Sequence, residues 1–258
     1  MNRVPSVSII VPARDEAGNI EELYRRVPVV GRHTELIFVE GFSRDATWDV
    51  ISRVVSTHSR KSLRVRGYQQ NTVKGKEAAT RLGFDKATGD ILMILDADLS
   101  IDPEQLREFY DRMIEAPNRF INGSRFIYPQ EKAAMRYLNN IGNIMFARIF
   151  SLILGMRVTD TLCGTKVLWK KDWQRLKKTT ASFARHDPYG DFELFLGAHL
   201  LNLRIIEIPV VYKARVYGRT KISRFRDGTR LLFVLFSFIL FLFRRKATLL
   251  FRNSKKKE

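Results

Sequence analysis

Asp90-Ile91-Leu92-Met93-Ile94-Leu95-Asp96-Ala97-Asp98 is a continuous apolar run of strand length that ends in two acids. A strand apolar on both sides suits a parallel sheet covered on both faces, as in α/β proteins. In such sheets ligands sit beyond the carboxyl ends of the strands. Asp96 and Asp98 therefore stand where a ligand is expected. If the backbone turns off the strand there, both carboxylates reach one divalent cation, magnesium or manganese, shared with substrate phosphates. The alternative is that Asp98 and Asp102 punctuate a strand-to-helix loop.

Outward from this run, strands and helices alternate. Val7 to Val11 reads as a first strand closed by Pro12, and Ile20 to Val27 as a helix that stops before Pro28. Glu35 to Glu40 is a second strand, followed by a helix capped near Ser43 to Thr47 that runs to about His58. Leu63 to Tyr68 is a third strand, and Lys74 to Ala87 a helix stopped at Gly89. The alternation predicts a doubly wound, mostly parallel sheet flanked by helices. Further along, Pro103 opens a helix to about Glu115, Arg119 to Ser124 is a short strand, and Lys132 to Leu154 is a long helix. Gly164 to Trp169 and Arg204 to Lys213 read as strands, and Phe192 to Leu203 as a helix.

The chain has 258 residues, 45% of them hydrophobic, enough for one large α/β domain or two small ones. A formal charge of +18 implies an anionic partner: nucleic acid, an anionic membrane surface, or phosphorylated small molecules. The charge is spread widely and no recognition motif with interleaved aromatics accompanies it, which weighs against a nucleic-acid-binding protein. One cysteine, Cys163, makes no disulfide framework, and the four histidines show no zinc-like spacing. No charged n-region precedes an apolar stretch at the start, so a secretory signal is not expected.

Leu231 to Phe243 is thirteen residues without a charge. As a helix it spans about 20 Å, against the roughly 30 Å of a bilayer core. Arg224, Arg226 and Arg230 precede it, and Arg244, Arg245 and Lys246 follow. Basic residues at both ends favour a helix lying in the cytoplasmic interface, peripheral or monotopic, over a span. A core helix, or an interface helix in a homo-oligomer, is the other reading. The expected division is a catalytic domain over 1–222 and a basic, apolar segment over 223–258.

Several stretches fall into a familiar order: 7–16 (VSIIVPARDE), 39–47 (VEGFSRDAT), 89–99 (GDILMILDADL), 122–126 (NGSRF), 160–166 (DTLCGTK), 191–194 (DFEL) and 215–222 (RVYGRTKI). In these the chain resembles glycosyltransferase family 2, with the GT-A fold, and within it the polyprenyl-phosphate sugar synthases of the dolichol-phosphate mannose synthase type. The resemblance implies a metal-dependent, inverting transfer of a hexose from a UDP- or GDP-sugar to a polyprenyl or dolichyl phosphate. A soluble or glycan acceptor is the alternative. By the same resemblance Pro12, Ala13 and Glu16 belong to a nucleotide-binding first loop, Glu40 and Asp45 to a second acidic loop for base and ribose, and Asp96 and Asp98 to the metal motif. Arg125, Arg136, Arg215 and Lys221 match basic positions near the donor diphosphate and acceptor phosphate, with Gly218 and Thr220 between the last two.

Two departures stand out. Relatives often carry two successive acids and then Gly where this chain has Glu40-Gly41-Phe42, which leaves the base open. Ser100 stands where relatives often have Gln, which leaves a third metal ligand open. Lys74 and Lys76 either touch phosphate or open a helix. Asp191 and Glu193 are candidates for a base or an orienting group; two apart on a helix, only one is expected to enter the site.

Overall fold

The computed structural model describes residues 4–57, 61–127, 137–184, 187–218 and 223–254. Strand β1 (Val7–Ala13) leads through helix α1 (Ile20–Arg26) to β2 (Thr34–Glu40), and α2 (Thr47–Thr57) leads on to β3 (Leu63–Gln69). Helix α3 (Lys76–Lys86) then returns the chain to β4 (Ile91–Ile94), which pairs with the other side of β1. These four strands are parallel. After a short 3₁₀ turn at Pro103–Gln105 follow α4 (Leu106–Ile114), β5 (Arg119–Ser124), α5 (Tyr137–Leu154), β6 (Lys166–Trp169), α6 (Lys170–Thr180), α7 (Asp191–Leu200), β7 (Arg204–Pro209) and α8 (Arg224–Ser254).

The sheet has seven strands in the order β3-β2-β1-β4-β6-β5-β7. β6 runs antiparallel to both β4 and β5, so the sheet is mostly rather than wholly parallel. Side chains alternate across it. Ile10, Ile37, Leu92 and Ile94 pack toward α3, α5, α6, α7 and α8, while Ile9, Val11, Leu36, Phe38 and Met93 pack toward α1, α2 and α4. The chain thus switches faces between β3 and β4, and the crevice of the topological switch opens beside β1 and β4. Helix α3 rides close to β1: a Cβ on Gly83 would lie 2.4 Å from the Ile10 side chain.

The C-terminal expectation needs correction. Leu231, Val234, Leu235 and Phe238 of α8 are buried at i, i+3, i+4 and i+7, in one cluster with Phe183, Phe192 and Phe195. This stripe is part of the domain core rather than a separate membrane segment. A helix apolar on every side buries only the side that meets its neighbours. The opposite side, with Phe225, Leu232, Phe233, Phe236 and Phe243, is exposed. No helix among the described residues is long and apolar enough to cross a membrane. The expected boundary at 222 falls just outside the described residues.

The two sides of α8 differ measurably. Phe238 is 0% exposed and Phe233 51%. Phe238→Ala is expected to lower unfolding stability in urea by about 3 kcal/mol or more, and Phe233→Ala by about 0.5 kcal/mol or less.

Candidate active site

Three loops at the carboxyl ends of the strands, after β1, β2 and β4, carry the acids. Glu16 follows β1 and is buried; its Oε2 accepts the Asn19 side-chain amide at 2.8 Å. Glu40 ends β2 and accepts the Ser43 N–H at 2.5 Å and the Gln69 amide at 3.2 Å. Asp45 caps α2 through the Thr47 N–H and hydroxyl, and also accepts the Ala17 N–H at 3.2 Å. Burial works to raise the Asp45 pKa, but these donors outweigh it and hold the carboxyl below its usual range. Leu99 adopts a φ of +55°, so the chain turns sharply after Asp98.

A strap from Val210 to Gly218 crosses these loops. Lys213 donates its N–H to the Ser100 carbonyl at 2.8 Å and pairs with Asp102 at 2.7 Å. The Tyr217 hydroxyl donates to Asp45 at 3.2 Å. Gly218, at φ +80°, lies against the Asp15 carbonyl, where a Cβ would come within 3.1 Å.

Each acid after β4 carries a basic side chain. Lys76 Nζ lies 2.6 Å from Asp96 Oδ1. Arg215 forks between Asp98 Oδ2 at 2.5 Å and Glu16 Oε1 at 3.1 Å. The other oxygen of Asp98 accepts the Ser100 N–H at 3.0 Å and its hydroxyl at 2.6 Å, so Ser100 orients Asp98. Burial disfavours the charge on Asp96, but attraction to Lys76, then to Arg125 and Lys166, holds its carboxyl below the usual range. Burial likewise opposes the charge on Lys76, yet Asp96, Asp191 and Asp98 together lift its pKa above that of an ordinary lysine.

These residues fit a divalent cation of the kind that takes part of its shell from phosphate. Asp96 and Asp98 offer hard oxygens, and the Asp96 carboxylate packs directly against Gly164, where a Cβ would lie 2.1 Å from Oδ2. Among the described residues no third acid, His or Cys joins them in a metal-ligating group. Magnesium or manganese held by two carboxylates completes its coordination with phosphate oxygens and water.

Asp191 and Glu193 part ways, as their spacing on α7 requires. Asp191 Oδ1 lies 2.7 Å from Nζ of Lys166, which is 0% exposed and also donates to the Cys163 carbonyl. Asp191 acts electrostatically on Lys76, so it belongs to the acidic cluster. Glu193 is turned toward Arg81 and the Thr180 hydroxyl. Burial raises its pKa, only partly offset by Arg81 and Thr180. Asp187, buried beside Asp191, is pushed up to about 7, by burial first and the Asp191 charge second.

Arg125 is committed to Asp160 through Nε at 2.7 Å and Nη2 at 2.9 Å. Asn143 of α5 donates to the same carboxylate at 2.7 Å, which ties α5 to the end of β5. Arg125 thus acts on Asp96 through its field, while its fork holds Asp160. Pro12 and the buried Ala13 end β1, where the Ala13 carbonyl accepts the Gly41 N–H at 2.8 Å. Arg136, Thr220 and Lys221 lie outside the described residues. Sequence reading gave Lys166 no role, although it closes the quoted stretch 160–166 and opens the otherwise apolar run Lys166–Trp169.

A family model described as glycosyl transferase family 2 matches residues 8–196. Dolichol-phosphate mannosyltransferase of Pyrococcus furiosus is 25% identical over 226 residues, covering 84% of this chain and 59% of the relative. Undecaprenyl-phosphate 4-deoxy-4-formamido-L-arabinose transferase of Pseudomonas fluorescens is 26% identical over 239 residues, covering 85% of this chain and 61% of the relative. The chain therefore spans about three fifths of the length of these two relatives. Among solved structures, glucosyl-3-phosphoglycerate synthase of Mycobacterium tuberculosis, in complex with Mn2+, UDP and glucosyl-3-phosphoglycerate, has a TM-score of 0.63 at 15% identity, covering 90% of this chain and 80% of that one. At that identity the likeness concerns the fold.

Proposed function

Because the chain belongs to glycosyl transferase family 2, we propose that it moves a hexose from a UDP- or GDP-sugar to a polyprenyl or dolichyl phosphate at the cytoplasmic face of a membrane, with inversion. The observation that carries this reading is the pairing of Lys76 with Asp96 and of Arg215 with Asp98 at the switch-point crevice. Fixed cations next to paired acids are what a departing diphosphate with its metal needs. The similarity to enzymes named for dolichol-phosphate and undecaprenyl-phosphate transfer supports the lipid acceptor.

A divalent cation, when bound at Asp96 and Asp98, would supply charge neutralisation to the leaving diphosphate. The chain's own residues do the rest. Arg215 offers two parallel donors to a phosphate, and Lys76 a compact charge. A phosphate acceptor is already an anion, so no strong base is required. That agrees with Asp191, whose carboxylate is held by Lys166 and is suited to positioning. Glu40 and Asp45 line a groove beside these residues, suited to the nucleoside end of the donor.

The outward side of α8 gives the reading its membrane. Phe233, Phe236 and Phe243 are exposed, with Arg226, Arg230 and Arg244 exposed near the ends of the run. Apolar side chains between basic ends suit an anionic lipid surface, lying flat rather than spanning.

Transfer is tested with sugar nucleotide, Mg2+ or Mn2+, and extracted polyprenyl phosphate. Asp98→Asn is expected to lower the rate by about 100-fold or more; an unchanged rate would remove Asp98 from the mechanism. Phe236→Glu is expected to shift the protein off vesicles rich in anionic lipid in a flotation assay, with unfolding temperature unchanged. Equal flotation of the variant would count against the α8 surface.

A further inference from the structure

Between the ends of β2 and β3 lies a groove of about 440 Å³ lined by Glu40, Phe42, Asp45, Trp48, Gln69 and Asn71, among others. Two of these side chains are flat aromatic rings and the rest carry hydrogen-bonding groups. That combination recognises a heteroaromatic ring: a π face for stacking and a few polar atoms for its edge.

Phe42 is the unexpected member. Its φ is +58°, the left-handed region that glycine occupies without cost and a bulky side chain does not. The turn around it is fixed from both sides. Gly41 donates its N–H to the Ala13 carbonyl, and Ser43 donates to Glu40 while its hydroxyl accepts the Asp15 N–H at 3.0 Å. At the neighbouring Gly41 a Cβ would lie 2.8 Å from the Gln70 amide oxygen, so a larger residue there requires that side chain to shift. So the loop keeps a large ring where its backbone favours none. Core packing does not account for it, because Phe42 is only half-buried and belongs to neither core cluster. Strain of this kind collects where a side chain serves a ligand. The Lys74 ammonium sits over the Phe42 ring, 4.6 Å from its centroid, which steadies the ring where it lines the groove.

We propose that Phe42 is the stacking wall for the nucleobase of the donor, and that it determines how tightly this chain grips a nucleotide. The inference rests on the donor reading given above and adds to it the residue that grips the base. Glu40 and Gln69, at the polar side of the same groove, then read the edge of the base.

The test is calorimetric titration of UDP, GDP and inorganic pyrophosphate into the parent, Phe42→Gly and Phe42→Leu, with unfolding temperatures measured alongside. Phe42→Gly relieves the backbone, so its unfolding temperature is expected to equal or exceed that of the parent. Its affinity for the nucleotide the parent prefers is expected to fall about tenfold, with pyrophosphate affinity unchanged. Phe42→Leu, apolar but without a π face, should lose nearly as much. Nucleotide affinity within twofold of the parent in Phe42→Gly would overturn the inference and leave the donor reading standing. So would an equal loss for pyrophosphate, or a lowered unfolding temperature, since either marks Phe42 as a structural residue. A parent that binds neither UDP nor GDP would overturn the donor reading and this inference together.

Discussion

Asp96 and Asp98 follow a strand whose every residue is buried, and two carboxylates in such a place need positive charge beside them. Lys76 and Arg215 supply it, from α3 and from the strap after β7. The rest of the site follows from this pairing. Because Arg215 also holds Glu16, the strap is drawn over the loop after β1. Because Lys76 feels Asp191 as well as Asp96, the start of α3 is tied electrostatically to the start of α7. The same cations that neutralise the acids in the free chain are the ones a diphosphate would meet.

Around this centre the chain uses buried ion pairs as fasteners. Arg125, Asp160 and Asn143 knit α5 to the sheet, and Lys166 fixes Asp191. Such pairs do little for net stability, since removing charges from water is costly, but breaking one leaves an unmatched charge inside. They hold side chains of the site in one geometry. Only part of the +18 charge is engaged in this way. Arg226, Arg230 and Arg244, near the ends of the outward face of α8, are exposed.

What the sequence disclosed was what is local. The apolar run ending in Asp96 and Asp98, the strand–helix alternation through β4, and the proline start near Pro103 each show within a dozen residues. The antiparallel β6 left no such mark, because a buried strand of four residues reads alike in either direction. Helix α6 escaped because its inward side is mainly Trp173, Leu176 and Thr180 among many charges. For α8 the composition hid the answer: with apolar residues all round, nothing says which side meets the core. The ion pairs were hardest to foresee. Arg215 and Asp98 are 117 residues apart, and Arg125 and Asp160 are 35 apart, so only the folded sheet brings them together. The strain at Phe42 belongs to a dihedral angle, which the residue name does not disclose.

The central claim is that the two acids, held by Lys76 and Arg215, take up a divalent cation together with the phosphates of a nucleotide. Electron paramagnetic resonance of Mn2+ tests this most directly, with and without a nucleoside diphosphate and against a control lacking protein. The account predicts weak uptake of Mn2+ by the protein alone, and strong uptake once UDP or GDP is added, lost in the Asp96→Asn, Asp98→Asn double variant. Uptake that ignores the nucleotide, or that survives in the double variant, would contradict it.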